Sequence, residues 1–289
     1  MSSAGRGDAG AATAAAPRRI HAALIDLNGT LHVGDAATPG AQAALQRLRA
    51  AGVQARFVTN TTKDTIGNLL ALVQGLGFDI QQHEVFSSLT ATRRLLEEQG
   101  LRPFLLLHPK ALPDFEGIPT ENPDAVVVGL AKEAFSYDNM NRAFRILLHD
   151  PDAPLIAIHK GRIFKEPDGL SLGPGPFVLA LEHATGRTAQ VVGKPEASFF
   201  RLALDDLGCA PRDAVMVGDD ARDDVGGAQA AGLRGILVQT GKYQPGDEAS
   251  AGVQPTAMVP DFAAAVEWIL EQNSAAAAAA AETGRQAQA

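Results

Sequence analysis

Four short, mainly apolar runs, AALID, VQARFVTN, DAVMVGD and GILVQTG, each stop at polar residues and are each followed by a stretch with helical spacing. A strand with no polar alternation has no face for water, so such runs belong inside a parallel sheet covered by helices on both sides. The helical partners are GAQAALQRLRAAG, NLLALVQGLG, DVGGAQAAG and FAAAVEWILEQ. This is βαβ logic, and it predicts an α/β fold built on a Rossmann-like doubly wound parallel sheet. Two of the runs lie before residue 88 and two after residue 188, so the two halves of the chain are expected to share one sheet.

Between them, FLLLH, AVVVG and LIAIH alternate with helical stretches such as NMNRAFRILLH, which predicts a second, smaller α/β unit inserted into the first. The expected division is a core over 21–87 and 189–272 and an inserted unit over 88–188. The ends stand apart, with an Ala-, Gly- and Ser-rich disordered extension over 1–20 and a low-complexity tail over 273–289. An organelle transit peptide is the alternative for the extension. No repeat of fixed period emerges.

With 289 residues, 46% of them hydrophobic, the chain can bury a full core. A formal charge of −8 argues against nucleic acid as the main partner. No apolar run approaches the roughly 20 residues that span a bilayer, so no membrane association is expected and the reading is a cytoplasmic protein. The single cysteine, Cys209, has no internal partner and reads as a buried structural thiol.

In parallel sheets, ligands sit outside the carboxyl ends of the strands. Four places there carry polar side chains: Asp26 after ALI, Thr59 and Asn60 after ARFV, Lys194 in VVGKPE, and Asp219 after AVMVG. Singly, each suits a cap, a turn or a solvated charge. Together, a carboxylate nucleophile, a hydroxyl, a lysine and further acids suit phosphoryl transfer, which needs positioning and charge neutralisation. Clustered acids repel a phosphate unless a cation intervenes. Mg2+ prefers oxygen ligands, and Asp26 and Asp219 with one main-chain carbonyl are a fitting set.

The segments DLNGT, VTN, GKP and GDDARDD occur in the order and approximate spacing of the four motifs of haloacid dehalogenase-like phosphatases, over roughly residues 21–272. The interval between VTN and GKP resembles the large α/β cap of the NagD-type subgroup. That resemblance implies a cap domain over 88–188 and an attack by Asp26 on phosphorus, giving an aspartyl-phosphate. It also implies Mg2+ held by Asp26, the Asn28 carbonyl and Asp219, with Asp224 orienting the metal's waters or the lysine. Thr59 and the Asn60 backbone would bind phosphoryl oxygens, and Lys194 would neutralise charge. Asp224 is preferred over Asp223 for the last acidic position; Asp220 and Asp223 are given no role. Relatives that dimerise through the cap leave a homodimer open.

One position departs from the pattern. Most phosphatases of the family carry an aspartate two residues after the nucleophile, where this chain has Asn28. An amide neither protonates a leaving oxygen nor activates water, and such assistance is commonly worth about 10² to 10⁴ in rate. The expectation is a phosphatase for small phosphorylated compounds whose leaving groups need little protonation, such as P–N bonds, pyrophosphate or aryl phosphates. The alternative is a phosphate-binding relative with little turnover.

SLGPGPF lacks the ending of a P-loop and reads as a turn into a helix. His159 and Lys160 are expected either to face the site from the inserted unit or to lie in a solvated loop. The histidines show no zinc spacing, and Pro39 reads as a helix-start signal.

Overall fold

A computed structural model describes residues 18–62, 65–166 and 169–286. The expected extension therefore lies outside the described residues as far as residue 17. In chain order the first elements are β1 (Ala22–Asp26), a small hairpin of β2 (His32–Val33) and β3 (Ala36–Ala37), α1 (Ala41–Ala50) and β4 (Gln54–Thr59). Next come α2 (Ile66–Gly75), β5 (Val85–Ser87), α3 (Ser88–Gln99), β6 (Pro103–Leu106), β7 (Ala125–Val128), α4 (Tyr137–His149) and β8 (Leu155–Ala157). A hairpin of β9 (Ile163–Glu166) and β10 (Gly169–Leu172) follows, then α5 (Gly175–Thr185), β11 (Gln190–Val191), α6 (Ala197–Asp205) and β12 (Ala214–Gly218). The chain ends with α7 (Gly227–Ala230), β13 (Arg234–Val238), α8 (Asp247–Ala251), β14 (Ala257–Val259) and α9 (Phe262–Gln286).

Six parallel strands form the main sheet in the order β14-β13-β12-β1-β4-β5, with β1 flanked by β12 and β4. Strands from the two ends of the sequence thus meet at the centre, the α/β architecture expected. Side chains of β1 alternate between the faces. Ala23 and Ile25 join a buried cluster with Phe57, Val217 and the helices α1 and α9, whereas Ala22 and Leu24 join a second cluster with Val58, Phe86, Phe199 and Met216. Because both faces are buried, the strand sequence shows no polar alternation.

A second parallel sheet, β11-β8-β7-β6, belongs to the intervening stretch. Leu107, Val127, Ile156 and Ile158 from this region enter the same apolar cluster as Leu24 and Phe86, so one buried cluster joins the two units. The expected boundary at residue 188 falls two residues before β11, which pairs with β8 in the second sheet. Helix α3 shows how the chain turns at the end of a core strand: Ser87 closes β5 and its hydroxyl accepts the Thr90 amide at 3.0 Å, and Gly100 at φ 63° ends the helix.

Helix α9 runs unbroken through residue 273 to Gln286. The Asn273 side chain accepts the Ile20 amide at 2.6 Å and donates to the Ile20 carbonyl at 3.0 Å, so it pins this helix to the start of β1. SLGPGPF does lead into α5, and the reason for its glycines is steric. A Cβ at Gly173 would lie 2.2 Å from the Gly161 carbonyl oxygen, and one at Gly175 2.6 Å from that of Lys160.

Candidate active site

Asp26 is the last residue of β1, and its neighbours in the sheet place it at the carboxyl-end crevice beside β4 and β12. It is buried, as are Lys194, Asp219 and Asp224. Lys194 Nζ lies 2.5 Å from Asp26 Oδ1 and 2.7 Å from Asp224 Oδ1. Burial works against an ammonium, but Asp224 and Asp26 together outweigh it and hold the Lys194 pKa above the usual lysine value.

The lysine is aimed from its own backbone. Asn60 Nδ2 donates to the Lys194 carbonyl at 2.8 Å, and the Lys194 amide donates to Asn60 Oδ1 at 3.0 Å. Asn60 therefore clamps the lysine's main chain with its side chain, a task the sequence did not disclose. The buried Thr59 hydroxyl accepts the Thr61 amide at 3.1 Å and shapes the loop leaving β4.

Asp219 directly follows β12. One of its oxygens, Oδ2, accepts the Lys242 amide at 2.8 Å; the other, Oδ1, is buried without a hydrogen-bond partner among the described residues. Oxygens of Asp26, Asp219 and Asp224 lie within 4.8 Å of one another. Burial, then repulsion from Asp26, pushes the Asp219 carboxyl up to about 6. Burial, partly opposed by Lys194 and reinforced by Asp26 and Asp219, pushes Asp224 up to about 8. Three crowded carboxylates facing one lysine, with an orphaned buried oxygen among them, form a donor set that fits a hard divalent cation.

Asp224 reaches this cluster because the chain after β12 forms a single π-turn over Ala221–Gly226. Asp220 caps that turn by accepting the Arg222 amide at 2.8 Å and the Asp223 amide at 2.7 Å. The Asp220 amide in turn donates to Asp224 Oδ2 at 3.2 Å. Gly218 makes room, since a Cβ there would lie 2.2 Å from the same oxygen. Asp223 is only partly buried and lies outside the trio of acids.

Asn28 is exposed, two residues beyond the buried Asp26. Gly29 next to it holds φ 101°, and a Cβ there would lie 2.2 Å from Asp219 Oδ2. The loop after β13 closes over the same spot. Thr240 Oγ1 donates to the Gly29 carbonyl, and a Cβ on Gly241 would lie 2.4 Å from the Gly29 Cα. Lys242 follows, with Nζ 2.8 Å from Asp220 Oδ2. Sequence reasoning missed this lysine. The strand-end rule applied to GILVQTG would have pointed to it.

Lys160 neither faces the site nor stands free in solvent: its ammonium binds Glu182 of α5 at 2.8 Å. The His159 ring accepts the Gly161 amide at 3.2 Å within its own loop, and burial with the Lys242 charge lowers its imidazole to about 4. Cys209 is half-buried rather than buried, and burial raises its thiol pKa, opposite to what a nucleophile needs.

The family model for haloacid dehalogenase-like hydrolases matches residues 23–117, and the model for HAD-hydrolase-like proteins matches residues 191–265. Haloacid dehalogenase-like hydrolase domain-containing protein 2 of Bos taurus is 57% identical over 254 residues, covering 88% of this chain and 97% of the relative. The chain belongs to the haloacid dehalogenase-like hydrolases. Phospholysine phosphohistidine inorganic pyrophosphate phosphatase of Danio rerio is 41% identical, covering 88% of this chain and 95% of that one. Among solved structures, p-nitrophenyl phosphatase from Archaeoglobus fulgidus superposes with a TM-score of 0.81 at 25% identity, covering 86% of this chain and 99% of that chain. NagD from E. coli K-12 superposes at 0.75, also at 25% identity, covering 85% and 98%. This hydrolase is therefore of the NagD type and an enzyme of the family's phosphatase kind. No helix among the described residues is long and apolar enough to cross a membrane.

Proposed function

We propose that this hydrolase is a Mg2+-dependent phosphatase that forms an aspartyl-phosphate on Asp26 and acts on small phosphorylated compounds whose leaving groups depart without a proton from the enzyme. The observation that carries the reading is the junction of Asp26, Lys194 and Asp224, beside an Asp219 oxygen left without a partner. An Asp26 oxygen attacks phosphorus while the bond to the leaving group breaks and its electron pair departs with that group. Lys194 offsets the negative charge gathered on the nucleophile and the phosphoryl oxygens. Thr59 and the Asn60 backbone hold those oxygens, and water then cleaves the acyl phosphate to restore Asp26. Held by Asp26, Asp219, the Asn28 carbonyl and the nearby Asp224, Mg2+ would supply charge neutralisation at the phosphoryl group. Residues 21–87 and 189–272 carry the chemistry in this reading, and the unit over 88–188 selects the substrate.

Asn28 favours a restricted set of leaving groups because nothing at that position donates a proton. It also leaves a second reading, a phosphate-binding protein with little turnover. A panel of pyrophosphate, imidodiphosphate, p-nitrophenyl phosphate and a sugar phosphate, assayed with Mg2+ and with chelator, separates them. The expected result is turnover of the first three above the sugar phosphate, abolished by chelation. Preference for the sugar phosphate overturns the leaving-group reading, and binding of orthophosphate without turnover of any compound favours the second.

A further inference from the structure

Lys242 belongs to none of the four motif segments, yet it is built into the site from three directions. Its amide holds Asp219 Oδ2 at 2.8 Å, while Oδ1 has no hydrogen-bond partner among the described residues. Its ammonium is tied to Asp220 Oδ2 at 2.8 Å. The two residues before it, Thr240 and Gly241, are locked against Gly29, one by a hydrogen bond to the Gly29 carbonyl and the other by a contact that admits no side chain. Gly29 is the neighbour of Asn28, so the loop that carries this lysine is fastened to the segment where the family's usual acid is missing.

The ammonium is also open to a ligand. The Lys242 side chain is 61% exposed, and an ammonium has three donors of which the Asp220 contact uses one. Asp220 itself is held by two backbone amides, so the pair fixes where Nζ points. From the second unit, His159 comes close enough for its imidazole to feel the Lys242 charge. Its Nδ1 accepts the Gly161 amide at 3.2 Å, which leaves Nε2 as the protonated, donating nitrogen.

We propose that Lys242 is a specificity-determining residue that binds a second anionic group on the substrate, next to the phosphoryl group being transferred, so that the site prefers leaving groups that are themselves negatively charged. This rests on the phosphatase reading above and narrows it. A cation in that place stabilises charge that grows on the leaving group as its bond to phosphorus breaks, and it makes a proton donor at position 28 unnecessary for such substrates. A neutral sugar alcohol gains nothing from it.

The test compares Lys242→Met and Lys242→Arg in the full chain with Mg2+. Pyrophosphate carries a charged leaving group, and p-nitrophenyl phosphate carries an aryl group without the second phosphoryl. The expected result is that Lys242→Met lowers kcat/KM for pyrophosphate at least tenfold more than for p-nitrophenyl phosphate, and that Lys242→Arg restores most of the difference. As a readout independent of turnover, the rise in melting temperature that pyrophosphate gives beyond orthophosphate should shrink in Lys242→Met. Equal losses on both compounds, or an undiminished pyrophosphate shift, would show that Lys242 only props Asp219 and Asp220, overturning this inference alone. Turnover of neither compound by the unmodified protein overturns the phosphatase reading and this inference with it.

Discussion

The ammonium of Lys194 lies 2.5 Å from Oδ1 of Asp26, across 168 residues of sequence. The contact closes the two halves of the core onto one point, and the same nitrogen reaches Asp224. If Asp26 is the nucleophile, Asp26→Asn should lower turnover by at least about a thousandfold and abolish covalent phosphate labelling. Retained labelling would place the nucleophile elsewhere.

Removing the lysine should hurt folding as well as chemistry. Lys194→Met leaves Asp26 and Asp224 buried without their cation, a type of loss worth about 3–5 kcal/mol. Denaturant titration should show it, and adding Asp224→Asn should recover part of the loss, because the second change removes one of the stranded charges. Strictly additive losses would mean that the pair is not coupled.

Restoring an acid two residues after the nucleophile offers a gain-of-function test. Asn28→Asp should raise hydrolysis of a sugar phosphate by about a hundredfold, the usual worth of a positioned proton donor. An unchanged rate would show that Asn28 does not face the leaving group.

Gly29 can be examined through stability and metal response together. Its φ of 101° strains any other residue, and a methyl group would collide with Asp219 Oδ2. Gly29→Ala should cost about 1–3 kcal/mol in denaturant unfolding and raise the Mg2+ concentration needed for half-maximal turnover. A variant with unchanged stability and metal response would contradict the crowding.

The imidazole of His159 gives a pH signature. Burial, with help from the Lys242 charge, lowers it to about 4, below the ordinary histidine value. The unfolded chain therefore binds a proton at this residue between that ordinary value and about 4 while the folded chain does not, so stability falls as the pH drops through this window. His159 as a whole keeps some exposure to solvent, which discounts the contribution to about 1–2 kcal/mol. His159→Gln should flatten the decline of the melting temperature between pH 7 and 5; an unaltered slope would remove His159 as its source.

Part of this was readable without coordinates. Strand runs with no polar alternation announce burial on both faces, and a polar residue at the end of such a run announces a ligand crevice, because both follow from local period and sheet geometry. Asp26, Thr59, Lys194 and Asp219 were found in that way. Asp224 and Asp223 are neighbours with the same chemistry; the family resemblance preferred Asp224, and the π-turn after β12 is what brings that residue to Lys194.

What the sequence by itself determined was the kind of sheet and the chemistry waiting at its strand ends, since these depend on spacing within a few residues. Tertiary structure decided which side chains share one space. It turned Asn60 into a clamp on the Lys194 backbone, bound Lys160 to Glu182, and seated Thr240 and Gly241 beside Gly29. Such pairings depend on how distant loops pack, and no periodicity in the chain encodes a distance between residues 29 and 241.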